Sequence, residues 1–366
     1  MSSVLDAIVI GGGQAGLASG YYLKKNGLQF LILEASGQST GSWPLYYDSL
    51  KLFSPARLSS LPGMKMPGPA TRYPLRNEVI RYLQAYAQRF DLPIRINQRV
   101  VYVEKSRNGF SIRTAAGNEY EARTIINATG SFHNPYIPAI SGMENFQGEI
   151  LHSSSYRSPD RFRGQRVVVV GSGNSAVQIA AELADVSHTS LAVLRPVRFM
   201  KTKILGIDLH FWIRAVGLDT FPFWRFGKKP PISRAVADLD DYRRRIQSGK
   251  PDQRPMFTSL YSEGVVWPDG TEEPVQTVIF ATGYRPNLSH LQSIGALDAD
   301  GKPLQKGGIS TSVPGLYYVG LEGQRSFASA TLRGAGPDAK YVVRKLRRYL
   351  AKISGERFPL VVSPCC

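Results

Sequence analysis

The sequence predicts an α/β protein made of two parallel-sheet units of the same plan. Two observations carry this. A short apolar run, a glycine turn and a helical pattern occur together twice, at Ile8-Val9-Ile10-Gly11-Gly12-Gly13-Gln14-Ala15-Gly16 and at Val167-Val168-Val169-Val170-Gly171-Ser172-Gly173-Asn174-Ser175-Ala176. A second matched pair lies downstream of them, Thr124-Ile125-Ile126-Asn127-Ala128-Thr129-Gly130 and Thr277-Val278-Ile279-Phe280-Ala281-Thr282-Gly283-Tyr284. Near-continuous apolar runs are how strands buried on both faces read. Their small C-terminal residues let backbone cross close to a bound group. A chain of 366 residues also exceeds a single ordinary core.

Residues 5–10 read as the first buried strand and Ala15–Lys25 as its helix. Gly11 permits the tight turn, Gly13 lets the backbone approach a pyrophosphate, and Gly16 lets helix and strand pack closely. Gln14 and Ala15 open the helix, whose free N–H groups suit phosphate. The next strand, Phe30-Leu31-Ile32-Leu33, ends at Glu34. An acid about twenty residues past the glycines is placed for a ribose hydroxyl, and it repels a 2′-phosphate. FAD or NAD remains, and a site at the extreme N-terminus with a second one downstream favours FAD.

Residues 166–170 and Ser175–Leu183 repeat strand and helix, with Ala176 in place of the third glycine. The strand Ser190–Leu194 is followed by Arg195, with Arg198 close behind. A guanidinium forks onto a 2′-phosphate, so this turn, with Gly171, Ser172, Gly173, Asn174 and Ser175, is expected to take NADPH, with NADH tolerated. Ala281, Thr282 and Gly283 join it from the later strand. The fold class is therefore two Rossmann-like dinucleotide-binding domains, for FAD and NAD(P)H, each with a small antiparallel meander or insertion.

Asn77–Phe90 has helical spacing, and Arg99–Glu104, Phe110–Thr114 and Tyr120–Arg123 read as an antiparallel meander punctuated by Asn108-Gly109 and Gly117-Asn118. Val101 in that meander is grouped with the FAD residues. Residues 200–256 break the pattern with Phe211, Trp212, Phe221, Phe223, Trp224, Phe226 and several prolines. They read equally as a surface insertion or as a lid over a substrate path. Leu316–Gly320 is the final strand. Ser329-Ala330-Thr331-Leu332 starts a terminal helix whose amides suit an anionic flavin N1–C2 locus. The expected domains are 1–155 with 286–366 for FAD, and 156–285 for NAD(P)H with the insertion 200–256.

Composition narrows the classes further. No apolar run reaches the roughly eighteen residues of a membrane span, and the N-terminus lacks a basic leader, which points to the cytoplasm. The two cysteines, Cys365 and Cys366, read as a tail. They exclude a disulfide framework and an internal redox pair of the kind a thioredoxin reductase needs. The histidines, His133, His152, His188, His210 and His290, show no metal-ligand spacing, so no metal is expected. The net charge of +17 favours encounters with anions such as pyridine nucleotides. Its scattered placement does not suggest a nucleic-acid partner. The basic residues near Arg344 and Arg348 read as the solvated face of an amphipathic helix.

Between the two units lies Phe146-Gln147-Gly148-Glu149-Ile150-Leu151-His152-Ser153-Ser154-Ser155-Tyr156. This fits FxGxxxHxxxY and resembles the identifying motif of flavin-containing monooxygenases. A tryptophan in place of Tyr156 would mark Baeyer–Villiger enzymes instead. The resemblance covers nearly the whole chain. It implies that NAD(P)H reduces FAD, that O2 adds to give a C4a-(hydro)peroxyflavin, and that one oxygen atom passes to a small substrate with a soft nucleophile, a sulfide or an amine. Phe146, Gly148, His152 and Tyr156 are then motif residues, with His152 placed on the linker in a structural role. Gly41-Ser42-Trp43 is similar to the family's flavin-contacting GxW segment, and Ala128-Thr129-Gly130 and Ala281-Thr282-Gly283 to its two ATG motifs. Thr331 and Leu332 complete the flavin side.

One departure stands out within the resemblance. The family places an asparagine beside the flavin, and here Leu50-Lys51-Leu52-Phe53-Ser54-Pro55 puts Phe53 there, with Ser54 next to it. Phenylalanine donates no hydrogen bond, so near-stoichiometric H2O2 release without substrate is expected. No side chain is assigned as a catalyst; Phe53 and Ser54 are flavin-face candidates. The competing readings are Baeyer–Villiger oxygenation of ketones and a plain NAD(P)H oxidase or redox carrier. A homodimer is compatible with these features.

Overall fold

The computed structural model describes residues 4–227 and 235–355. The cysteine pair Cys365 and Cys366 and residues 228–234 of the expected insertion lie outside that range. Strand β1 (Leu5–Ile10) leads into α1 (Gln14–Lys25) and β2 (Phe30–Leu33), followed by α2 (Arg76–Arg89), β3 (Ile94–Arg95), β4 (Val100–Ser106), β5 (Gly109–Thr114) and β6 (Glu119–Asn127). β1 pairs in parallel with both β2 and β6. Alternate residues of β1 enter different cores: Ala7 and Val9 pack toward α1 and α2, Ile8 and Ile10 toward the opposite layer. Burial on both faces is why residues 7–10 are all apolar.

β6 corrects one expectation. Tyr120–Arg123 and Thr124–Gly130 are not two strands but one. Its first half closes the antiparallel meander against β5, and its second half pairs in parallel with β1. No glycine or proline separates the halves, so the strand runs on between its two partners.

The second unit runs through β7 (Glu149–His152), β8 (Arg166–Val170), α3 (Asn174–Leu183), β9 (His188–Val193), β10 (Phe199–Met200), β11 (Lys203–Ile204), β12 (Ile207–Asp208), α4 (Leu209–Ala215), β13 (Val236–Ala237), α5 (Tyr242–Gln247) and β14 (Asp252–Pro255). It continues with β15 (Ser259–Tyr261), β16 (Gly264–Val266), β17 (Glu272–Pro274) and β18 (Thr277–Phe280). The chain closes with β19 (Gln305–Lys306), β20 (Ile309–Ser310), β21 (Leu316–Tyr318) and α6 (Leu332–Ser354). In the first sheet β21, β6, β1, β2 and β3 lie side by side; in the second, β7, β18, β8, β9 and β14 do. Each unit carries a three-stranded antiparallel meander, β4–β5–β6 continuous with the first sheet and β15–β16–β17 as a separate small sheet of the second unit. The internal repeat is thus a repeat of strand order.

Two boundaries shift. β7 pairs with β18, so the motif strand and His152 belong to the second sheet, not to a linker before it, and a division at residue 155 cuts that unit. The expected insertion 200–256 is also too long. β14 extends the second sheet in parallel to β9, and α5 packs near α3. Asp252-Gln253-Arg254-Pro255 is an edge strand, partnered on one side only, so it carries no apolar run to announce it. The part that truly departs, around α4, packs instead on the first unit. Arg333 at the start of α6 pairs with Asp219, and Trp224 meets Tyr341 edge-on.

Candidate functional site

The two glycine turns are built by the same pair of backbone hydrogen bonds. Gly11 N–H donates to Leu33 O and Ala128 N–H to Ile10 O; Gly171 N–H donates to Ala192 O and Ala281 N–H to Val170 O. Gly11 has φ +108° and Gly171 φ +139°, a region that favours glycine. A side chain on Gly11 would meet Ala128 O at 2.7 Å, and one on Gly171 would meet Ala281 O at 2.6 Å. The small ends of β6 and β18 are therefore the floor under each turn. Gly13 and Gly173 precede α1 and α3 with extended backbone and no side-chain cap, and neither first turn holds an acid. Both helix starts are left open to an anion.

The turns differ at the end of the neighbouring strand. Glu34 comes one residue after Leu33 and is buried. Its carboxylate accepts from Gly12 N at 2.6 Å and from Ser36 N and Oγ at 2.8 Å each. The matching hydrogen bonds place Val193 in that position in the second turn. Arg195 and Arg198 come after it, both exposed. A cavity of about 400 Å3 beside the second turn is lined by Pro138, Ile140, Ser172, Leu194, Met256 and Thr282 among others. Asn174 Oδ1 accepts from Ala237 N at 3.1 Å, and Ser175 hydrogen-bonds Tyr47.

Several residues singled out from sequence do come together at the first turn. Gln14 Nε2 donates to Ala330 O at 2.8 Å, and Trp43 Nε1 donates to Gln14 Oε1 at 3.1 Å. Thr331 caps α6, its Oγ1 accepting from Gly334 N. Gly41 packs against Gly13, where an added Cβ would meet Gly13 Cα at 2.8 Å; Ser42, beside it, precedes the short helix that begins at Trp43. Thr129 receives a hydrogen bond from Asn127, and Gly130 has φ +65°. Val101 is the extra residue of a bulge in the β4–β5 ladder and is exposed. Gly16 sits so close to Gly11 O that a Cβ there would overlap it.

The motif residues hold the second unit and its junction with the first. Phe146 packs over Gly148 and into the core with Val168 and Trp267. Ser154 N donates to His152 Nδ1 at 3.0 Å, so the ring proton sits on Nε2, which donates to Gly283 O at 2.9 Å. Burial pushes the His152 pKa down, in keeping with a neutral ring. Tyr156 donates to Glu182 on α3 at 3.0 Å. From the first unit, Ser49 reaches the same carboxylate oxygen at 2.8 Å and Tyr47 donates to Gln178 at 2.9 Å. Burial raises the Glu182 pKa, and the Ser49 and Tyr156 hydrogen bonds oppose that.

Phe53 is half-buried, with the His210 ring centroid 6.0 Å away and the Arg333 guanidinium 5.9 Å from its own centroid. Ser54 Oγ is buried against Ser59 Oγ at 2.9 Å. Sequence reasoning did not single out Tyr47, Gln178, Glu182, Asp208 or Arg333. Only Asp208, a good helix N-cap residue before an apolar segment, carries a local signal. Among the described residues there is no cluster of three metal-ligating side chains and no helix long and apolar enough to cross a membrane.

Comparison with known proteins agrees with this geometry. Residues 8–213 match the pyridine nucleotide-disulphide oxidoreductase family. An uncharacterized CzcO-like oxidoreductase of Geobacillus kaustophilus is 36% identical, covering 94% of this chain and 99% of its own. The indole-3-pyruvate monooxygenase YUCCA8 of Oryza sativa subsp. indica is 30% identical, over 92% of this chain and 89% of its own. The solved structure of a flavin-containing monooxygenase from Stenotrophomonas maltophilia superposes with a TM-score of 0.84 at 33% identity, covering 95% of this chain and all of that one (100%). The chain belongs to the pyridine nucleotide-disulphide oxidoreductase family, on its flavin-containing monooxygenase side, and is a flavin-dependent oxidoreductase.

Proposed function

We propose that this protein is an NADPH- and O2-dependent monooxygenase that oxygenates a soft nucleophile, a small sulfide or amine. The observation that carries the reading is the contrast between its two turns. One is closed by buried Glu34; the other has Val193 there, with two exposed arginines after it. In this reading FAD lies on Gly11, Gly13, Gln14, Ala15 and Gly16, with Glu34 at its ribose. Ser42, Trp43, Val101, Ala128, Thr129, Gly130, Thr331 and Leu332 line its length. The narrow glycine floor and the uncapped start of α1 fit a pyrophosphate. NADPH takes Gly171, Ser172, Gly173, Asn174 and Ser175, with Arg195 and Arg198 toward its 2′-phosphate and Ala281, Thr282 and Gly283 beneath.

Bound flavin supplies the redox chemistry: it takes a hydride and activates O2. The chain's own residues bind, orient and shield. His152 fixes the end of β7 to Gly283, and the Tyr156–Glu182–Ser49 contact fixes one unit against the other. A second reading, an NADPH oxidase releasing H2O2, draws on Phe53, which puts no hydrogen-bond donor at the flavin face.

The test is anaerobic addition of NADPH to the purified yellow protein, followed by O2 and a thioether. Bleaching and then sulfoxide supports the monooxygenase. Bleaching followed by H2O2 alone supports the oxidase, and absence of bleaching overturns both.

A further inference from the structure

We propose that His210 is the proton donor of the oxygenation reaction, doing from the α4 segment what Phe53 cannot do from its own position. The inference rests on the monooxygenase reading. His210 is buried. Its Nδ1 lies 3.0 Å from Asp208 Oδ1, which also accepts from His210 N at 2.8 Å. Tyr73, from the segment before α2, donates to the other carboxylate oxygen of Asp208. The ring is thereby held from two separate parts of the chain. With Nδ1–H directed to a carboxylate, Nε2 is left as the working edge, and it makes no hydrogen bond with a described residue. That ring lies against Phe53.

Charge supports the arrangement. Burial disfavours ionisation of Asp208, but hydrogen bonds from His210 and Tyr73 outweigh it and hold its pKa below the ordinary value. Burial, with the hydrogen bond to Asp208, pushes the Tyr73 phenol well up. Asp208 is therefore the anion of the trio, held between the Tyr73 phenol and the His210 ring. Among the described residues, the charged groups near this wall include Arg333, paired with Asp219 at 2.8 Å, and Arg57, which lies over the neighbouring Phe211 ring.

The overall reaction is sulfide + O2 + NADPH + H+ giving sulfoxide + NADP+ + water. One oxygen atom bonds to sulfur as the O–O bond breaks, and the other leaves as water. In the proposed step His210 Nε2–H breaks and an O–H bond forms on the departing oxygen; solvent then reprotonates the ring. A simple helix cap needs Asp208 but neither Tyr73 nor the imidazole, which is what makes the trio more than local structure.

The test compares wild type with His210→Asn, whose amide can keep the Asp208 contact without an Nε2 edge, and with His210→Gln. Flavin content, the rate of anaerobic flavin reduction by NADPH, sulfoxide per NADPH and H2O2 are measured together. The expected result is that His210→Asn retains flavin and its reduction while sulfoxide per NADPH falls at least about tenfold, with H2O2 making up the difference. Added imidazole restores part of the yield, and Tyr73→Phe loses a smaller part. Wild-type coupling in His210→Asn overturns the inference. So does a loss shared equally by both His210 variants that tracks lost flavin and ignores imidazole. If wild type itself makes H2O2 and no sulfoxide, it is the monooxygenase reading that falls, and the inference with it.

Discussion

The phenol of Tyr156 and the carboxylate of Glu182 meet at 3.0 Å, on the oxygen that Ser49 reaches from the first unit. The last residue of the motif is therefore a joint between units. Its partner Glu182 lies on α3, the same helix whose N-terminal end forms the second turn, so the joint and that turn share one rigid element. Lys51, paired with Asp240 at 2.6 Å, reinforces it.

The cofactor preference of the second turn should be reversible. Arg195→Glu is expected to raise the KM for NADPH at least about tenfold more than that for NADH, because the proposed role of Arg195 sets a forked cation against the 2′-phosphate. Steady-state kinetics with both nucleotides check this. Equal changes for the two would remove Arg195 from the site.

The two turns should tolerate an added methyl group very differently. A Cβ on Gly16 overlaps Gly11 O, whereas one on Gly173 meets nothing within 4 Å. Gly16→Ala is expected to give colourless or insoluble protein. Gly173→Ala should fold, keep its yellow colour and raise the KM for NADPH. Flavin absorbance per protein and far-ultraviolet circular dichroism read both outcomes; a fully yellow Gly16→Ala would contradict the packing.

Asp338, on α6, gives a pH prediction. Burial pushes its pKa up to about 6, against the pull of the Arg325 ion pair and hydrogen bonds from Ser329 and Arg325. An acid whose folded pKa is raised favours the fold while protonated. Its contribution is full below about pH 4 and lost as pH rises through about 6, a penalty on the order of 3 kcal/mol at neutral pH. Asp338→Asn has no such titration. Thermal melts from pH 4 to 7 should find the variant gaining on wild type as pH rises; a constant gap would show that the site does not titrate there.

How much of this was legible in the sequence depends on how each residue is partnered. β1, α1, β2 and Glu34 are readable because a strand buried on both faces must be apolar and a turn beneath a strand end must be glycine. The pairing of β7 with β18 is not readable, since Glu149-Ile150-Leu151-His152 has only one sheet neighbour and looks like connecting chain. β14 hides for the same reason, its edge position permitting Asp252, Gln253 and Arg254. The contact of His210 with Phe53 joins residues far apart in the chain, and no spacing rule reaches across that distance. Val193 in the place of Glu34 emerges only from the backbone hydrogen bonds, because the apparent counterpart, Arg195, stands two residues further on.

The sheets share a strand order but draw their fifth strand from opposite directions along the chain. The second sheet takes β7, which precedes its glycine turn; the first takes β21, which comes after every other strand of both sheets' parallel cores. During synthesis from the N-terminus, the second sheet has all its strands once Phe280 has emerged. The first, though begun at Leu5, waits for Leu316–Tyr318 and then for α6, whose start meets Gln14 through Ala330. Of the two sheets, the one begun first is thus the one finished last, and its glycine turn reaches its final surroundings only after Ala330 has emerged.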